Sequence, residues 1–134
     1  MKNTILVVDD DKTNLSLAQR ILGPQYRIAA CTSGEAALKY LESHRPDLIL
    51  LDINMPQMNG FEMMEKLRSD TQTKSIPVIF LTADNLAETE IRCFQIGAMD
   101  FVIKPFVPDI LLSRVSKTIE LDQYRHNLEN MVSI

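Results

Sequence analysis

Acidic, hydroxyl and amino side chains come directly after four short apolar runs in this sequence. Asp9 and Asp10 follow the first of these runs, Asp52 the second, Thr82 the third and Lys104 the fourth. An unbroken apolar run is typical of a strand buried on both faces, as in a parallel sheet. Parallel strands end on a common side of their sheet, where ligands bind in open α/β folds. The five polar residues are therefore expected to converge on one site.

Three carboxylates brought together would repel one another, and a cation would relieve that repulsion. Oxygen ligands without His or Cys favour a hard ion such as Mg²⁺, which also binds phosphate oxygens. Lys104 and the Thr82 hydroxyl would hold the remaining oxygens of a phosphoryl group. Asp52, on the central strand, is then the candidate nucleophile for an acyl phosphate. His44 and His126 lie away from the strand ends, so a Ser–His acyl-transfer site is not indicated.

Each of these polar residues also has an ordinary structural interpretation. The aspartates after the first run could cap the first helix, and Thr82 could cap the fourth. Asp52 could cap a loop, and Lys104 could be a solvated loop lysine. All of these interpretations must hold together for the site to be absent.

Strands alternating with helices would position the site. Strands are predicted at residues 4–8, 26–31, 48–51, 76–81 and 99–103, each followed by a helical pattern. Thr32 and Glu35 have the spacing of a capping box for the second helix, and the fifth helix begins at Pro108. Five such units with short connections predict a parallel α/β sheet with helices on both faces.

The composition and net charge of the chain argue against several classes of function. The chain has 134 residues, a net charge of −4 and a pI near 5.1, which argues against direct binding of nucleic acid or an anionic membrane. No apolar run approaches the roughly 20 residues of a spanning helix, and the N-terminus lacks the features of a secretory signal. A cytoplasmic protein is expected, with Cys31 and Cys93 as reduced, mostly buried thiols.

Four segments resemble the response-regulator receiver domain of two-component signalling: ILVVDDD, DLILLDINMPQMNGFE, IPVIFLTA and GAMDFVIKPF, in family order over residues 4–120. The resemblance implies a flavodoxin-like, doubly wound five-stranded parallel sheet of order 2-1-3-4-5. It also implies a switch rather than a metabolic enzyme. A sensor histidine kinase or phosphotransfer protein would supply the phosphoryl group.

The resemblance further implies a role for each site residue. Asp52 matches the phosphoacceptor, Asp10 the direct Mg²⁺ ligand and Asp9 the acid that acts largely through water. Asn54 matches the position whose backbone carbonyl completes the metal site.

The remaining matches concern the phosphoryl group and the signal. Thr82 matches the hydroxyl that follows the phosphoryl group, and the Ala83 amide lies beside it. Lys104 matches the family lysine, and its bond to Pro105 matches a cis peptide. Phe101 matches the aromatic switch position and lacks the hydroxyl that a Tyr would present.

Two other functions remain open from the sequence. A haloacid-dehalogenase-like phosphatase also uses an Asp, a Thr, a Lys and Mg²⁺, but it requires a second Asp two residues after the nucleophile, where this chain has Asn54. A pseudo-receiver that serves only as a docking scaffold would lack part of the acid set, which is intact here.

The C-terminal segment predicts a partner. Residues 1–120 are expected to form the receiver domain, and residues 121–134 a helical extension that links to an output domain, for instance a cyclic-di-GMP enzyme. Apolar residues recur there at spacings of three and four, as in a coiled-coil seam: Leu121, Tyr124, Leu128 and Met131 or Val132. This pattern favours a homodimer formed through the last helix. The alternative is a solvated tail that folds back on the domain.

Overall fold

Five strands and five helices alternate along the chain in the computed structural model, which describes residues 2–132. The strands are β1 Thr4–Val8, β2 Arg27–Cys31, β3 Leu48–Asp52, β4 Val78–Thr82 and β5 Asp100–Ile103. The helices are α1 Lys12–Leu22, α2 Gly34–Leu41, α3 Gly60–Ser69, α4 Ala87–Gln95 and α5 Pro108–Val132. All strand pairs are parallel, in the order β2-β1-β3-β4-β5. The predicted sheet and its strand order are confirmed.

The two central strands are apolar because both of their faces are covered. Every residue of β3 and β4 is buried. Ile49 and Leu51 point into the core beneath α2, α3 and α4, whereas Leu48 and Leu50 point into the core beneath α1 and α5. Successive side chains alternate between the two faces of the sheet. A strand between two helix layers therefore needs no polar residue until its carboxyl end.

A capping box fixes the start of α3 close to the end of β3. Asn59 Oδ1 accepts from the Glu62 amide at 2.9 Å, and Glu62 Oε1 accepts from the Asn59 amide at 3.0 Å. The Gly60 amide then donates to the Ile53 carbonyl at 2.8 Å. A Cβ on Gly60 would lie 2.4 Å from the Asp52 carbonyl oxygen, so only glycine allows this close return to the strand end.

The starts of α2 and β4 differ from the sequence prediction, and smaller differences of one residue occur at the starts of β2 and β5 and at the ends of β3 and β4. The α2 cap is Ser33, whose hydroxyl accepts from the Ala36 amide at 3.1 Å, and not Thr32. The backbone stays extended past Cys31 because its carbonyl still accepts from the Asp9 amide. The fourth strand starts at Val78, because the Ile76 amide closes a turn onto the Thr73 carbonyl.

Within residues 2–132, no helix is both long enough and apolar enough to cross a membrane.

Candidate functional site

Lys104 joins two carboxylates that come from different strands. Its ammonium lies 3.1 Å from Asp9 Oδ2 and 3.0 Å from Asp52 Oδ1. The Lys104 amide donates to the Thr82 carbonyl at 2.7 Å, which anchors the lysine at the end of β4. The Lys104–Pro105 peptide bond is cis, as the resemblance implied. The polar residues at the carboxyl ends of β1, β3, β4 and β5 therefore lie together at one end of the sheet.

Asp9, Asp10 and Asp52 form an acidic cluster in which one carboxylate oxygen from each lies within 4.8 Å of the others. Asp9 and Asp52 are buried, whereas Asp10 is exposed. Asp9 Oδ1 accepts from the Asp11 amide at 2.9 Å. Asp9 Oδ2 is buried and has no hydrogen-bond donor aligned to it among residues 2–132, so its partner is the Lys104 charge. Three carboxylates without a nitrogen or sulfur ligand form a donor set that fits a hard cation.

The electrostatics of Asp52 follow from its position. Burial, together with the nearby charge of Asp9, raises the pKa of Asp52 to about 6, although Lys104 and the Asn54 amide act in the opposite direction. Burial alone would lower the pKa of Lys104, but its bonds and charge attraction to Asp52 and Asp9 outweigh this effect and leave that pKa raised. Near neutral pH the site thus holds an ionised carboxylate and an ammonium in contact.

This pKa has a consequence for stability. Because the folded-state pKa of Asp52 lies above the unfolded value of 3.8, the folded chain holds a proton that the unfolded chain releases between these values. The free energy of unfolding therefore falls as the pH rises through this interval.

Without divalent cations, we expect Asp52→Asn to raise the free energy of unfolding at pH 8 by about 2 kcal/mol. The gain should shrink at pH 5. Urea unfolding at both pH values measures it, and an equal gain at both would contradict the raised pKa.

The ordinary structural interpretations fail at four of these positions: Asp9, Asp10, Thr82 and Lys104. The residue that caps α1 is Asp11, whose Oδ1 accepts from the Thr13 amide at 2.8 Å, so Asp9 and Asp10 are left for the site. The residue at the N-cap of α4 is Leu86, so Thr82 is not that cap. Lys104 contacts two carboxylates and is not a solvated loop lysine.

Thr82 is buried, and its hydroxyl contacts Asp84. The Asp84 amide donates to Thr82 Oγ1 at 3.1 Å, and the hydroxyl donates to the Asp84 carbonyl at 3.3 Å. The Asp84 carboxylate accepts from the Leu86 amide and from the Thr89 hydroxyl, so it ties this loop to α4. Sequence reasoning missed Asp84. Its position two residues after a threonine, directly before a helix, is the signal that could have identified it.

The other predicted residues lie around this centre. Asn54 is exposed, and its backbone amide donates to Asp52 Oδ1 at 3.3 Å. Ala83 is exposed at the end of β4. Phe101 is half-buried on β5, and its ring meets Phe94 edge-on, with the centroids 6.0 Å apart.

The two histidines and the two cysteines are not part of the site. The His44 ring stacks on Tyr40, and His126 lies on α5. Cys31 and Cys93 are free thiols, and Cys93 is fully buried.

Comparisons with known proteins agree with this arrangement. Residues 5–116 match the family model of the response regulator receiver domain. The chain is 44% identical over 112 residues to a Vibrio cholerae protein named "Probable cyclic di-GMP phosphodiesterase", a match that covers 84% of this chain and 25% of the relative. It is 37% identical over 116 residues to the response regulator PleD of Caulobacter vibrioides, covering 86% of this chain and 26% of PleD. The chain thus spans about a quarter of the length of each of these relatives.

A solved structure extends the comparison to the fold. The receiver domain of sensor histidine kinase PA1611 from Pseudomonas aeruginosa PAO1, described with a magnesium ion coordinated in its active-site cleft, superposes with a TM-score of 0.81 at 28% identity. The superposition covers 90% of this chain and 99% of that structure. The strand order, the residues at the sheet edge and these matches agree, and the chain belongs to the response regulator receiver domain family.

Proposed function

We propose that Asp52 accepts a phosphoryl group from the phosphohistidine of a sensor histidine kinase or a phosphotransfer protein. A carboxylate oxygen of Asp52 forms the new bond to phosphorus, the bond from phosphorus to the imidazole nitrogen breaks, and the imidazole keeps the electron pair and takes up a proton. The contact of the buried Asp52 with Lys104 carries this proposal, because it sets a nucleophile beside a cation that offsets the added negative charge. Hydrolysis of the acyl phosphate by water resets the switch.

The acidic cluster is proposed to hold Mg²⁺ through Asp10 and Asp52, with Asp9 in support and the Asn54 carbonyl as a further ligand. The close approach of three carboxylates and the all-oxygen donor set support this assignment. When bound, the ion would neutralise charge on the transferring phosphoryl group.

Asp10→Ala tests the metal assignment. Removal of one of three carboxylates should weaken Mg²⁺ binding by about tenfold or more, and it should also relieve acid–acid repulsion in the metal-free protein. Calorimetric titration with Mg²⁺ measures the affinity, and urea unfolding without metal measures the stability. Asp11→Asn is the matched control, because Asn also caps a helix. An unchanged Mg²⁺ affinity in Asp10→Ala would contradict the assignment.

One experiment separates the proposed function from its alternatives. The protein is incubated with Mg²⁺ and a small phosphodonor, and the product is examined for an acid-stable, base-labile phosphoprotein that turns over slowly. Rapid release of phosphate from many substrate molecules without a persistent phosphoprotein would indicate a phosphatase. Absence of any phosphoprotein would indicate a docking scaffold.

The output is proposed to be a conformational change that runs from Thr82 to Phe101. A phosphoryl group adds a charge of about −1.5 to −2, enough to draw a hydroxyl and an ammonium inward. Thr82 would then leave Asp84, which connects it to α4, and Phe101 would move into the vacated space. Residues 1–120 would form the switch, and residues 121–134 would pass its state to an output domain. The name of the Vibrio cholerae relative favours a cyclic-di-GMP enzyme as that domain.

A homodimer through the end of α5 is proposed as the route of that signal. Leu121, Tyr124, Leu128 and Met131 are 61%, 65%, 45% and 70% exposed, at spacings of three, four and three. Such a stripe fits the seam of a parallel two-stranded coil. The side chain of Val132, the alternative final position, lies outside the described residues, as do Ser133 and Ile134.

Substitutions in the stripe test the dimer. Leu121→Glu and Leu128→Glu should each shift the protein towards monomer, because a charge within so short a seam removes much of its apolar contact. Sedimentation with and without a phosphoryl analogue measures the shift, with Gln123→Glu, at an exposed position of α5 outside the stripe, as control. A monomer in both states at high protein concentration, unaffected by either substitution, would rule out the dimer.

A further inference from the structure

A cleft of about 460 Å³ lies at the end of the sheet opposite Asp52. The end of α3, the loop before β4 and the loop before β5 line one wall, and α5 supplies the other through Arg125, His126 and Glu129. Its volume is within the range of small-molecule sites. We call it the base cleft.

The charge of the base cleft is opposite to that of the chain. Arg68, Lys74 and Arg125 enter it from three separate elements, with His126 beside them and Glu129 as its one lining carboxylate among the described residues. With His126 neutral, these side chains leave two positive charges in a protein whose net charge is −4. A local excess of this kind favours an anionic ligand.

Arg68 is fixed in place without a counter-ion. Its guanidinium donates to the carbonyls of Lys74 at 2.8 Å, Ile76 at 3.1 Å and Gly97 at 3.4 Å. Within residues 2–132, neither Arg68 nor Lys74 forms an ion pair with a carboxylate. Burial, and next the positive charge of Arg125, lower the pKa of Arg68. The two guanidinium groups therefore act on each other across the cleft.

Asp122 offsets only part of this charge. Its carboxylate accepts from Arg125 at 2.7 Å and lies 3.3 Å from the His126 ring, so it holds the α5 side chains in position. Preorganised guanidinium groups bind the oxygens of phosphate well, and an ammonium adds a further point charge. Glu129 and Asp122 together leave one net positive charge among Arg68, Lys74 and Arg125. A phosphomonoester offers three terminal oxygens to these three cationic side chains, whereas a carboxylate offers only two. Ile76, Pro77 and Met99 complete the lining with apolar surface.

We propose that the base cleft binds the phosphate group of a small phosphomonoester, whose remaining part lies on this apolar surface. Arg68 and Lys74 belong to the domain, and Arg125 belongs to the extension of α5. A ligand bound to all three would hold the extension against its own domain. This site is independent of phosphotransfer at Asp52, and the two proposals can fail separately.

Titration of the ¹⁵N-labelled protein with AMP in the absence of Mg²⁺, followed by NMR, tests the site, and inorganic phosphate serves as the second probe. We expect saturable shifts at the amides of Ser75, Gly97 and Arg125. AMP should bind more tightly than phosphate. Arg125→Gln and Lys74→Gln should each weaken AMP binding by about tenfold, since each removes a charge-assisted hydrogen bond. Lys117→Gln, an exposed lysine outside the cleft, should have no effect.

Several results would overturn the proposal. Shifts that stay linear with AMP concentration would show that no site exists. Equal losses in Lys117→Gln and Arg125→Gln would reduce the effect to general charge screening. Shifts centred on Asp10 and Ala83 would assign the anion to the opposite edge of the sheet. Equal affinity for both probes would exclude the monoester and leave inorganic phosphate as the ligand. The spectra of the ligand-free variants, which should match the wild type away from the substitution, show that each is folded.

Discussion

Asp52→Asn is expected to abolish formation of the base-labile phosphoprotein while the fold is retained. The amide has nearly the same shape as the carboxylate, and its oxygen can still accept from the Asn54 amide that now donates to Asp52 Oδ1 at 3.3 Å. It offers no carboxylate oxygen as a nucleophile. Incubation with Mg²⁺ and a small phosphodonor, followed by intact-mass measurement, detects the phosphoryl adduct.

Asp11→Asn is the matched control for this loss. Asp11 lies next to the acidic cluster but caps α1, a role that Asn also fills, so its substitution should leave labelling intact. Full labelling of Asp52→Asn would show that another residue accepts the phosphoryl group. Loss of labelling in both variants would indicate that the assay responds to a general change at this edge of the sheet.

Lys104→Ala is expected to have the second large effect. Lys104 is the cation in contact with both buried carboxylates, Asp9 and Asp52, in the described part of the chain. Its removal leaves two acids that repel each other without compensation, which should lower the free energy of unfolding at pH 8 by about 3 kcal/mol. Protonation of Asp52 at lower pH, or addition of Mg²⁺, should restore part of that loss.

The signalling defect of Lys104→Ala should exceed its labelling defect. Asp52 remains in place as the nucleophile, so the variant should still be labelled in part. Without the ammonium, the phosphoryl group loses the contact that draws the β5 end towards it, and the Phe101 amide should shift little on phosphorylation. NMR spectra before and after treatment with phosphodonor measure this shift, with Lys117→Ala as control. Identical shifts in Lys104→Ala and the wild type would contradict the proposed role.

Local sequence determined which residues could form the site. The unbroken run of β3 needs two covered faces, so Asp52 had to come at the end of a central strand. The same reasoning identified the ends of β1, β4 and β5, and the helix between each pair of successive strands indicated that all strands run parallel. The resemblance to the receiver family then implied the strand order that the structure has. The inferences drawn from residue patterns succeed because each depends on contacts that are local or repeat at every strand.

Tertiary structure decided where each of the candidate site residues lies. Asp9 and Asp10 are adjacent and chemically identical, yet one is buried against Lys104 and the other is exposed. That difference depends on the direction in which each leaves the end of β1 relative to β3 and β5, which no local pattern specifies. The contact of Thr82 with Asp84 was likewise absent from the sequence reading, because Thr82 at a strand end could equally have capped α4.

The end of α5 shows most clearly which features the sequence determines and which the tertiary structure determines. Helical spacing predicted that Leu121, Tyr124 and Leu128 share one face, and all three are exposed. Spacing gave no sign that the polar residues between them, Arg125 and His126, line a cleft with Arg68 and Lys74. A helical pattern specifies which side chains lie together on their own helix. Which distant surface they meet depends on where the helix crosses the end of the sheet, and only the packed structure determines that.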